Sequence, residues 1–175
     1  LKKIWWFIIS GIVGGFILTL ALLEILGDKE EELIPSDMNQ LIYNLEERAY
    51  GNTYSASIDS EYIYISSDNK SYTYALPEDL FYISFAPYMT YTHECFTHSL
   101  TGCQGEMDNI DVYVIVYDDT GKIIKDEIMN TGDDGFIGLF LQKGIDYLVD
   151  IEYDGLKSSF ETNPEQTCYA EVRLK

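Results

Sequence analysis

The sequence predicts an α+β protein that is mainly β, with an N-terminal transmembrane helix, a small helix-plus-hairpin region and a C-terminal antiparallel β-sandwich. Three observations carry this expectation. Residues 4–23 form a run of twenty uncharged residues, long enough at about 1.5 Å rise per residue to cross a bilayer core. Between residues 38 and 49 the apolar side chains recur at helical spacing. From residue 54 onward the period changes to two, in short runs separated by turn residues, which is the pattern of a sandwich rather than of a parallel α/β sheet.

Residues 1–27 read as the membrane anchor or signal segment. Lys2 and Lys3 precede the apolar run and acidic residues follow it, so the positive-inside rule leaves the short N-terminus in the cytoplasm and everything from about Glu24 outward on the other side. No small-residue A-x-A site and no lipobox cysteine follows the run, which favours an anchor over a cleaved signal. The expected location is the cell membrane, as a single-pass protein whose domain faces the periplasm or cell surface. Residues 28–35, the charged stretch ending at Pro35, read as an acidic linker.

Residues 36–88 read as a small α+β region. Ser36 opens a helix whose buried stripe is Met38, Leu41, Ile42, Leu45 and Ala49, with Glu46, Glu47 and Arg48 on the other side and Gly51 as a stop signal. YIYI at 62–65 and YTYA at 72–75 flank the polar turn SSDNKS and form a hairpin. FYISFAPY at 81–88 supplies another strand, broken at Pro87. Residues 89–175 read as a patternless loop followed by the sandwich. Val112, Val114 and Val116 face one way and Tyr113, Ile115 and Tyr117 the other, and further strands follow at 123–128, 136–141, 147–153 and 156–161 and around Cys168.

A net charge of −19 excludes nucleic acid as a partner, because phosphate binding needs clustered lysine and arginine. The same acidity concentrates cations near the surface without selecting one. The selective feature is THECFTHSLTGCQGE at 92–106, which puts His93, Cys95, His98 and Cys103 within eleven consecutive positions. Gly102 and the seven residues between the cysteines let the loop fold back so that both sulfurs reach one ion, and Cys168 can close the site from the sheet. Thiolates are soft donors that favour Cu(I) or Zn(II) over Mg(II) or Ca(II). Two or three thiolates satisfy Cu(I), whereas Zn(II) wants four ligands, with His93 or His98 as the fourth. An iron–sulfur cluster normally needs a fourth cysteine, which this chain lacks. A Cys95–Cys103 disulfide with Cys168 left over is the competing structural reading.

FYISFAPY followed by THECFTHSLTGCQGE resembles the signature of the CueP family of periplasmic copper-binding proteins, and DDGFIGLFL and TCYAEVRL resemble it further downstream. The resemblance implies that Cys95, Cys103 and Cys168 are copper-ligating cysteines, with His93 and His98 in the adjoining histidine positions. It implies a role in copper resistance, with copper(I) as the bound ion and zinc second to it. It also implies a copper-accepting enzyme such as a periplasmic superoxide dismutase as a partner, and a thiol reductant if the cysteines reduce Cu(II) or Fe(III).

Other features take ordinary readings. Ser67 to Lys70 matches S-x-x-K but falls in the hairpin turn. Asp118, Asp119, Asp133 and Asp134 read as solvated turn residues and not as a calcium loop. Met89 and Met107 lie near the thiol loop as packing residues, and Glu94 and Glu106 flank it. A surface β-sandwich with a structural disulfide and tyrosines for a wall polymer is the alternative module.

Overall fold

The computed structural model describes residues 37–175, so the expected membrane segment and acidic linker lie outside the described residues. Among the described residues, no helix is long and apolar enough to cross a membrane. They form one α-helix, a short 3-10 turn and ten strands.

Helix α1 spans Met38–Glu46 and buries Leu41, Ile42 and Leu45. Its cap is Asp37, whose carboxylate accepts the Asn39 N–H at 2.9 Å, so the helix begins beside the expected Ser36. It ends well before Gly51. Arg48 takes a left-handed conformation, φ 50°, and closes the helix before Ala49 can join it.

Strands β1 (Ser55–Ile58), β2 (Tyr62–Ser66) and β3 (Ser71–Ala75) form an antiparallel sheet in that order. In β2, Ile63 and Ile65 are buried while Tyr62, Tyr64 and Ser66 are exposed, the alternation expected of a sheet with one wet face. The β2–β3 turn closes on a Ser67 N–H to Lys70 carbonyl bond of 2.8 Å, which accounts for the S-x-x-K match as turn geometry. Leu41, Ile42 and Leu45 of α1 share a core with Ala56, Ile58, Ile63 and Ile65 of this sheet.

Strand β4 (Leu80–Tyr88) is the centre of a second sheet, flanked by β10 (Cys168–Arg173) and β7 (Ile137–Gln142). β4 and β7 are antiparallel, but β10 runs parallel to β4. The expected all-antiparallel sandwich is therefore corrected to one with a mixed sheet, in which β10 arrives beside β4 after a long connection, as parallel neighbours must. β4 also runs through Pro87 without breaking. The β10 ladder is irregular between Tyr169 and Val172 at that point, and a bulge is where a strand tolerates a residue with no N–H.

The third sheet has the order β6 (Ile123–Asn130), β5 (Asp111–Asp118), β8 (Tyr147–Tyr153) and β9 (Leu156–Glu161), all antiparallel. Val112, Val114 and Val116 point inward, as their spacing predicts, and meet Phe81, Ile83 and Phe85 of β4 in the main core. Met107 belongs to this core too and is a packing residue. Full burial of each such side chain contributes about 1.5–3 kcal/mol.

The alternation along β4 places its other face elsewhere. Tyr82 joins the core of α1 and the hairpin sheet, while Ala86 joins a small cluster with Phe136, Cys168, Ala170, Cys95 and Cys103. β4 is buried on both faces, which explains why its sequence reads as a continuous apolar run.

Candidate metal centre

The loop from 89 to 110 is pinned at several points. Glu106 accepts the N–H groups of Met89 and Thr90 at 2.6 and 2.8 Å, and these bonds, the one from Thr90 first, hold its carboxyl below the usual range. Glu106 thus closes the loop base. His98 forms a β-bridge with Ile58, its carbonyl accepting the Ile58 N–H at 2.9 Å. The His98 N–H donates to Thr167 Oγ1 at 3.0 Å, and that hydroxyl donates to the Ile58 carbonyl at 2.7 Å. Phe96 offers its carbonyl to the N–H of both Thr167 and Cys168 at 3.0 Å. These bonds fasten the loop between β1 and the start of β10.

Gly105 and Gly135 are pressed together on the far side. A Cβ on Gly105 would lie 2.6 Å from the Gly135 carbonyl oxygen, so position 105 accepts no larger residue without moving the 132–136 turn. The Gly105 N–H donates to the Asp134 carbonyl at 2.7 Å. That turn carries Phe136, whose ring centroid sits 4.8 Å from that of His98.

The three sulfurs converge at the floor of this loop. Cys95 and Cys168 are joined as a disulfide with Cα atoms 5.5 Å apart. Cys103 is a thiol, and its Sγ lies 3.6 Å from Cys95 Sγ and 3.4 Å from the Ser99 nitrogen that donates to it. The competing disulfide read from the sequence is thereby corrected: Cys95 pairs with Cys168, 73 residues away, and the leftover sulfur is Cys103. Because all three sit on one apolar floor of Ala86, Phe136 and Ala170, the exchange of partners leaves the same cluster.

The two histidines differ. His93 is exposed, and it lines an open depression with Cys95, Ser99, Gly102, Cys103 and Gln104. Its ring nitrogen lies within 4.8 Å of the sulfurs of Cys95 and Cys103. His98 is fully buried, and one of its ring nitrogens is within 4.8 Å of the sulfurs of Cys103 and Cys168. Its Nε2 is 3.2 Å from Glu46 Oε1, whereas Nδ1 is buried and makes no hydrogen bond of ordinary geometry. Burial pulls the His98 imidazole down, but the neighbouring Cys103 and Glu46 outweigh it and raise it to about 9. Nε2 is thus engaged by Glu46, whereas Nδ1 is engaged by no bond of ordinary geometry.

Two acids that the sequence reading left in solvent join this site. Glu46 was assigned to the outer side of α1, yet it sits four residues after Ile42 at the edge of the apolar stripe and reaches inward. Its Oε1 also accepts the Tyr82 hydroxyl at 2.9 Å. Asp134, read as a solvated turn residue, has a carboxylate oxygen within 4.8 Å of Glu46 and His98. Its Oδ2 is buried without a partner. Burial first, then the charge of Glu46, pushes its carboxyl up to about 7. By contrast Asp118 behaves as expected, accepting the N–H groups of Thr120 and Lys122 in its own turn.

The donor set fits a thiophilic ion. With the Cys95–Cys168 bond reduced, three sulfurs and the His98 ring nitrogen would form a soft donor set that suits Cu(I), or Zn(II) in a Cys3His arrangement, better than a hard cation.

Comparisons with known proteins agree with this chemistry. The family described as "Periplasmic copper-binding protein CueP" matches residues 39–173. The solved structure "Crystal Structure of S.CueP" is 34% identical, superposes with a TM-score of 0.73, and the match covers 90% of this chain and 98% of that one. No curated protein matches. The family match takes in both ends of the site, from Glu46 to Cys168, and the chain belongs to the CueP family of periplasmic copper-binding proteins.

Proposed function

We propose that the protein sequesters Cu(I) through the thiolates of Cys95, Cys103 and Cys168, with His98 as the neighbouring nitrogen donor, in the service of copper resistance. The observation that carries this reading is the convergence of the three sulfurs on one partly buried floor, Cys103 Sγ lying 3.6 Å from a cysteine already bonded to Cys168. Membership of a copper-binding family favours copper over zinc. The exposed His93 at the mouth of the depression is the group an incoming ion meets first.

The disulfide sets a condition on binding. Two electrons and two protons from an external thiol reductant convert Cys95–Cys168 to two thiols, and only then are three thiolates available. Delivery of the ion to a copper-accepting enzyme is part of the proposal, and the open mouth supports it, since a ligand-exchange partner must reach the metal. The membrane anchor, if residues 4–23 serve as one, keeps the store at the outer face of the membrane.

An anaerobic competition titration of the reduced chain with Cu(I) and a chromogenic chelator tests the proposal. One tight site per chain that is lost on changing any single cysteine to serine is the expected result. Unchanged affinity and stoichiometry in Cys168→Ser would defeat the three-thiolate arrangement.

The disulfide within the site favours a second reading, thiol-dependent reduction. Two Cu(II) ions would take one electron each from the Cys95 and Cys168 thiolates, leaving two Cu(I) and the disulfide. Loss of two thiols for every two Cu(I) formed distinguishes this reaction from simple capture.

A further inference from the structure

We infer that Glu46, held in place by Tyr82, is a positioning residue that fixes His98 as a copper donor through Nδ1 by accepting the Nε2–H on its carboxylate. The inference rests on the copper reading above and assigns a role to residues outside the cysteine loop.

The His98 backbone is fixed on both sides, by the bridge to Ile58 and by Thr167. The ring is buried between Phe136 at 4.8 Å and Tyr82 at 6.5 Å, centroid to centroid. One question is left open by this packing: which nitrogen faces the sulfurs with a lone pair. Glu46 answers it. Its Oε1 lies 3.2 Å from Nε2, so Nε2 is the protonated donor. Nδ1 is the buried nitrogen without a hydrogen-bond partner. A metal-bound histidine commonly gives its other N–H to a carboxylate in this way, which sets the tautomer and makes the ligating nitrogen more basic.

Glu46 is itself seated by a second element. The Tyr82 hydroxyl on β4 donates to the same Oε1 at 2.9 Å. That hydroxyl occupies the space where a side chain on β7 would be: a Cβ on Gly138 would lie 2.0 Å from it. Glycine weakens a strand interior, and its presence here is accounted for by the close approach of Tyr82. Helix α1, β4 and β7 therefore converge on one nitrogen of one buried ring. Asp134 completes the polar group on that side, with a carboxylate oxygen within 4.8 Å of both Glu46 and His98.

Copper entry then occupies the Nδ1 lone pair, while Nε2 keeps its proton and donates it to Glu46 in a hydrogen bond. The imidazole binds as the neutral ring, and no electron moves.

The test uses the full chain, reduced and oxygen-free, with Cu(I) and a chromogenic competitor. Glu46→Ala is expected to weaken Cu(I) binding by about 10–100-fold. Glu46→Gln, whose amide oxygen still accepts from Nε2–H, should recover most of that loss. Tyr82→Phe should weaken binding in the same direction by less. In a His98→Ala background, Glu46→Ala should have no further effect, because the positioned group is gone. An equal loss in that background means Glu46 acts through the fold and overturns the inference. If Glu46→Ala does not fold, nitrogen NMR of the copper-loaded natural chain decides: metal on Nδ1 with Nε2 protonated supports it, and any other assignment overturns it. Tight binding that needs all three cysteines but ignores His98→Ala overturns this inference alone. The absence of tight binding by the natural chain removes the copper reading as well.

Discussion

The two faces of β4 divide the protein's labour. Phe81, Ile83 and Phe85 point into the main core, where they meet the valines of β5 and nothing polar is required of them. Tyr82, Ser84 and Ala86 point the other way and meet Glu46 and the thiol cluster. Residues adjacent in sequence thus face the main core on one side and Glu46 and the thiol cluster on the other, a direct outcome of the two-residue period of a strand. β10 follows the same division: Cys168 and Ala170 belong to the thiol floor and Tyr169 to the main core. After the irregularity between Tyr169 and Val172, Val172 also faces the main core, as an inserted residue requires.

If the division is real, substitutions on the two faces should separate stability from copper binding. The largest stability change is expected on the core face. Phe85→Ala should cost about 3–5 kcal/mol in chemical denaturation, while the folded fraction of the variant keeps the copper stoichiometry of the natural chain. A changed stoichiometry would mean the faces are coupled.

On the other face, reducing the Cys95–Cys168 bond should lower stability by about 2–4 kcal/mol, read from denaturation curves with and without reductant. Cys103→Ser should leave that difference intact, since Cys103 is outside the disulfide. Next comes Tyr82→Phe, which strips the half-buried Glu46 carboxylate of a donor and should cost about 1.5–3 kcal/mol. The smallest change belongs to Ser84→Ala. Its Oγ is buried and makes no hydrogen bond of ordinary geometry, although it lies near the Tyr82 hydroxyl, so its removal should shift stability by less than about 1 kcal/mol in either direction. A large loss there would reveal a polar contact on this face beyond the Tyr82–Glu46 pair.

What the sequence disclosed, it disclosed through periodicity. The alternating valines of β5 and the helical spacing of Leu41, Ile42 and Leu45 place each residue on the side where the structure has it. Local density also marked the thiol loop, because cysteines and histidines so close together demand a shared purpose. Pairing was another matter. Cys95 and Cys168 stand 73 residues apart, and nothing in local spacing says which of three cysteines bonds to which. The direction of β10 was hidden for the same reason, since strand partners are chosen by tertiary packing. Glu46 and Asp134 escaped because an acid beside a helical stripe or in a glycine turn is usually solvated, and only the fold brings these two against a buried histidine.

The placement of Cys168 on β10 has a consequence for the order of events in biosynthesis. Cys95 and Cys103 leave the ribosome close together, but their third partner stands 73 positions after Cys95. The residues between include every strand of the third sheet, from Asp111 to Glu161. A nascent chain can therefore expose two of the sulfurs well before the third exists to complete the set. The set of three sulfurs is complete only once β10 has taken its place beside β4.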